Sequence, residues 1–63
     1  MRNVFDEMDM EILGNVVTRA AGRFDITVEE AVDYMFTKDM ENMDRQEAFE
    51  DFIMGTYFYI KNA

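Results

Sequence analysis

The chain has 63 residues, fourteen acids against six bases, a formal net charge of −8 and 49% apolar residues, nine of them aromatic. It contains no Cys, His or Ser, which rules out disulfides, the commonest transition-metal ligand and the usual nucleophile–base pairs, so an enzyme is not expected. The acid excess repels phosphate backbones and anionic lipid, which excludes direct nucleic-acid binding and favours protein partners with basic surfaces. A chain this short forms one domain, 1–63, and domains of about 60 residues bury only roughly 60% of the surface their unfolded form exposes. With disulfides and His ligands absent, self-association is the remaining route to added stability.

The whole chain reads as helices joined by short turns: an all-α, compact three-helix bundle with helices at about 6–22, 27–37 and 40–61. The first is predicted to start at Asp6, whose carboxylate can accept first-turn N–H groups, with Phe5 and Met10 placed as a hydrophobic staple. Ile12, Leu13, Val16, Val17 and Ala20 share one face at helical spacing, and Glu7, Glu11, Asn15 and Thr18 point away. Gly22 is the predicted stop, with Arg19 and Arg23 favoured near the negative end of the helix dipole.

The second helix has the clearest start, because Thr27-Val-Glu-Glu30 fits a capping box. Val28, Ala31, Val32, Met35 and Phe36 are its predicted inward stripe. Continuing the helix would place Asp39 on that apolar face, and a buried unpaired carboxylate is costly, so a break is predicted near Thr37-Lys38.

The third helix can start at Asp39 or at Asp44, and either start carries it to about Lys61. Phe49, Phe52, Ile53, Tyr59 and Ile60 form its core face. Met40, Met43, Met54 and Phe58 form a second stripe, interrupted by Glu47, Glu50 and Asp51. Thr56-Tyr-Phe-Tyr-Ile60 also has high β-propensity, which leaves a short strand as the alternative.

Few parts for chemistry are present. The run Asp39-Met-Glu41-Asn42-Met-Asp44 carries four oxygen ligands, but it lacks the Gly and terminal Glu of a calcium loop and reads better as a capping turn. No metal or cofactor is therefore expected. Two features remain. One is an acidic display in which Glu29, Glu30 and Asp33 on helix two join Glu47, Glu50 and Asp51 on helix three; carboxylates spread over a helical body can imitate a phosphate backbone. The other is the Met40/Met43/Met54/Phe58 stripe, which the core does not need, and whose expected occupant is a second copy in a homodimer or a partner's groove.

No run reaches the roughly 18 apolar residues of a membrane span, and Met-Arg-Asn-Val-Phe-Asp-Glu at the N-terminus is not a signal peptide, so the cytoplasm is the expected location. In size, acidity and lack of catalytic residues the chain resembles the small regulatory or host-takeover proteins of phages and mobile elements. That resemblance implies an inhibitor or regulator that occupies a surface of a larger protein. The contrasting expectation is a structural homo-oligomer or subunit whose acidity serves only solubility.

Overall fold

The computed structural model describes residues 7–38 and 40–63, which form the expected three-helix bundle. Its elements are α1 (Met10–Phe24), α2 (Val28–Thr37) and α3 (Met43–Lys61).

The helix ends show which local signals prevailed. Asp9 caps α1, three residues after the predicted start: its carboxylate accepts the N–H groups of Glu11 (3.0 Å) and Ile12 (3.3 Å). Phe5 and Asp6, and with them the predicted staple, lie outside the described residues. The later start has a tertiary cause. The Asp9 backbone N–H donates to the Tyr57 hydroxyl oxygen at 2.7 Å, which holds this residue extended at the edge of α3.

At the other end α1 runs through Gly22 to Phe24. The left-handed cap falls on Asp25 (φ 56°, ψ 48°), one of the few residue types that tolerate that region without being glycine. The two additional residues are rewarded because they carry the Phe24 ring to edge-on contact with Phe49 (5.5 Å) and Phe52 (6.0 Å). The Arg45 side chain of α3 donates to the Phe24 carbonyl and lies 6.0 Å from the Phe24 ring, placing a cation at the negative end of α1.

The α2 capping box forms as its sequence requires. Thr27 Oγ1 accepts the Glu30 N–H (3.0 Å), and Glu30 Oε1 accepts the Thr27 N–H (2.9 Å). The predicted break also occurs, with Lys38 as a left-handed cap whose N–H donates to the Tyr34 carbonyl. The start of α3 falls on neither predicted residue. Asn42 caps it, its side-chain oxygen accepting the Arg45 N–H at 3.0 Å, while Asp44 lies in the first turn and Asp39 lies outside the described residues. Residues 56–60 are helical and not a strand. Helical spacing lets Phe49, Ile53 and Tyr57 stack on one face, and their burial outweighs local β-propensity.

The core is built around α1, which packs on both other helices. Leu13, Val16, Val17, Ala20 and Ala21 of α1 meet Ala31 and Met35 of α2 and Phe49, Ile53 and Tyr57 of α3. Tyr57 takes the buried place that the sequence reading gave to Tyr59, which is exposed; the Tyr57 hydroxyl can enter the core because it finds the Asp9 amide there. Replacing Tyr57 with Phe keeps the ring and removes that acceptor, so a loss of about 0.5–1.5 kcal/mol is expected in urea unfolding, with faster hydrogen exchange at the Asp9 amide. The molecule measures 32 × 29 × 19 Å. Its thin dimension is about two helix diameters of ~10 Å, so the bundle is a slab in which helices keep outer flanks.

Candidate functional site

Of the residues predicted to face a partner from α3, two are half-buried and two are exposed. Met40 precedes α3, is half-buried against the core and donates its backbone N–H to Gln46 Oε1 at 3.1 Å. Met54 is likewise half-buried against the core. Met43 and Phe58 are exposed, but they stand fifteen residues apart on the helix, about 22 Å at 1.5 Å per residue. Between them the same side carries Glu47, Glu50 and Asp51.

The acidic display divides in a similar way. Glu30 is engaged in the α2 capping box, and Glu50 is half-buried and pairs with Lys38 at 3.6 Å. Glu29, Asp33, Glu47 and Asp51 are exposed, and none has a cationic partner among the described residues.

A continuous apolar surface lies elsewhere, between α1 and α2. Val28, Val32 and Phe36, predicted to point inward, instead form an outer stripe with Val32 41% and Phe36 47% exposed. Only Ala31 and Met35 of that predicted stripe are buried. The reason is the width of the arc. At ~100° per residue, Ala31 and Phe36 bracket about 140° of the α2 circumference, more than contact with one neighbouring helix covers. Ala31 and Met35 are buried toward α1, and Val28, Val32 and Phe36 form one wall of a groove.

Met10, Leu13, Gly14 and Val17 of α1 supply the opposite wall and the floor, enclosing about 160 Å³ with Val28, Val32, Met35 and Phe36. Gly14 is helical, and a Cβ added there would meet nothing within 4 Å. The packing of the described residues therefore does not require the glycine. Glu11 of α1 and Glu29 of α2 flank the groove by helical spacing, and among the described residues no Lys or Arg lines it. An apolar arc too broad for one neighbour is present in the sequence of α2 as it is in that of α3, and it is the signal for this groove.

A second depression of about 480 Å³ is bounded by Ile26, Asp33, Tyr34, Met40, Glu41, Asn42 and Arg45. Two of its polar side chains already serve the fold: Asn42 caps α3 and Arg45 holds the end of α1. Among the described residues no group of three or more acidic side chains is arranged to hold a metal ion, and no helix is long and apolar enough to cross a membrane. Comparison of the chain with protein-family models, with curated proteins and with solved structures finds no match. The described residues thus form an all-α three-helix bundle with an apolar groove between α1 and α2.

Proposed function

We propose that this chain is a protein-binding module that acts by occupying a surface of a larger protein, as an inhibitor or regulator. The observation that carries this reading is the α1/α2 surface, where Met10, Val28 and Val32 stay exposed beside the buried core of the described residues. Contiguous exposed apolar surface on a small soluble domain marks an interaction site more often than scattered single residues do. The net charge of −8 would add long-range attraction and selectivity for a basic partner.

The test is recovery of a complex from cells that naturally express the chain, with its mass determined by light scattering. Wild type should retain one protein in fixed stoichiometry. The double variant Met10→Gln/Val32→Asn, which alters exposed positions and no charge, should lose it while keeping its helical circular dichroism. Phe58→Asp addresses the C-terminal face separately, and retention of the complex by that variant would place the contact away from α3. Competition by DNA would mark the partner's contact surface as one that handles nucleic acid. If wild type remains alone at every concentration, or forms only its own oligomer, the reading fails in favour of a structural role.

A further inference from the structure

We propose that the depression between α2 and the start of α3 binds a free basic amino acid, arginine or lysine, through its two cationic groups and its carboxylate together. This goes beyond the protein-binding reading and does not depend on the α1/α2 surface.

The charges that line the depression select the ligand. Asp33 of α2, Glu41 of the connection and Arg45 of α3 share one depression of about 480 Å³, with Ile26, Tyr34 and Met40 as less polar lining. Small-molecule sites span roughly 300–1,000 Å³, so the volume suits a compact ligand. Among the described residues neither carboxylate pairs with the guanidinium, although all three groups line the same space. Two carboxylates and one guanidinium held apart in this way match a ligand with two cations and one carboxylate. Free arginine and lysine carry that set. Their α-ammonium and side-chain cation would answer Asp33 and Glu41, and their α-carboxylate would take the paired donors of Arg45.

One buried group holds the three charges in place. Gln46 Nε2 donates to the carbonyl of Tyr34, the neighbour of Asp33, at 3.3 Å. Its Oε1 accepts the N–H of Met40, the neighbour of Glu41, at 3.1 Å. Gln46 itself follows Arg45 in the chain. A single carboxamide thus fixes the backbone beside each charged residue, and a site ordered in advance loses less on binding. Arg45 is held further by the Phe24 carbonyl, which takes a side-chain N–H, and by the Phe24 ring at 6.0 Å. A guanidinium has five N–H donors, so this use leaves others for a carboxylate. Asn42 likewise engages its side-chain oxygen in capping α3 and keeps its amide N–H groups.

Other small ligands fit less well. An inorganic anion would be opposed by Asp33 and Glu41, and a divalent cation by Arg45. An uncharged molecule would gain nothing from any of the three.

The test titrates arginine into the isotope-labelled full chain and follows backbone amide shifts by NMR. Arginine should bind one to one in the millimolar range, moving the amides of Asp33, Tyr34, Glu41 and Arg45 most, and lysine should bind within tenfold of it. Three analogues each remove one charge: argininamide lacks the carboxylate, N-acetylarginine the α-ammonium and citrulline the side-chain cation. Each should bind at least fivefold more weakly than arginine. Asp33→Asn/Glu41→Gln alters exposed positions, so it should keep its helical circular dichroism and weaken arginine at least tenfold. Arg45→Lys keeps a cation but not the paired donors, and should narrow the difference between arginine and argininamide.

Argininamide is more positive than arginine. If it binds as tightly, the interaction is general attraction to a chain of charge −8, and the proposal is overturned. N-acetylarginine equal to arginine would assign the depression to the C-terminal residue of a peptide and overturn the choice of a free amino acid. Binding unchanged in Asp33→Asn/Glu41→Gln, or no saturable shifts in the wild type, would remove the site altogether. Capture of a protein partner is tested separately by Met10→Gln/Val32→Asn, so either reading can fail while the other stands.

Discussion

Phe49→Ala should leave the chain largely unfolded at 37 °C. Phe49 is fully buried where all three helices meet, edge-on to Phe24 of α1 at 5.5 Å and to Tyr34 of α2 at 6.4 Å. Truncating a buried Phe costs about 3–5 kcal/mol through lost transfer energy and the cavity left behind. At roughly 0.05–0.15 kcal/mol per residue, a domain of this length has about 3–9 kcal/mol in total. The loss is therefore comparable with the whole stability. Urea unfolding followed by far-ultraviolet circular dichroism checks it, with Phe58→Ala as the companion. Phe58 is exposed, so removing the same number of atoms there should shift the midpoint far less. Equal effects at the two positions would mean that Phe49 does not organise the core.

The second large effect is expected at Gln46, the buried polar side chain of the described core. Its Oε1 accepts the Met40 N–H (3.1 Å), and its Nε2 donates to the Tyr34 carbonyl (3.3 Å). One carboxamide thus ties the start of α3 to both the end of α2 and the connection between them. The Tyr34 carbonyl also accepts the Lys38 N–H, so Met40 is the group left without a partner when Gln46 is lost. Gln46→Leu should cost about 1–3 kcal/mol, the usual penalty for stranding a buried polar group, and should speed hydrogen exchange at the Met40 amide. Gln46→Glu has nearly the same shape and keeps the acceptor, but it buries a charge against the Tyr34 carbonyl. It should be less stable than Gln46→Leu at pH 7. Acidification should close that gap, because the folded state holds the proton more tightly than the unfolded one and a protonated carboxyl again donates. A gap independent of pH would show that the site is open to water.

Local chemistry was legible where it stayed local. The Thr27–Glu30 capping box and the break at Thr37-Lys38 were readable because their groups lie within one turn of each other. The buried face of α1 followed from 3.6-residue spacing. The α1 start was not readable, since the Asp9 amide is claimed by Tyr57 from 48 residues away. The extension of α1 past Gly22 depends on aromatic partners that belong to α3. Gln46 reads on its own as an ordinary exposed polar residue, and only the folded chain brings Met40 and Tyr34 to it.

The candidate site follows the same division. Composition alone showed many apolar residues for so short a chain, and an acid excess. It did not show which helix carries the surplus. The third helix has apolar residues on more than one side, yet Met40 and Met54 are drawn onto the core. The second helix, which looked well matched to its neighbours, keeps Val28, Val32 and Phe36 outside. Helical periodicity specifies how side chains are arranged around one axis, and the amino-acid sequence determines that directly. How much of each circumference is covered depends on the angles and separations of three helices in a slab 19 Å thick, and only their packing together decides it.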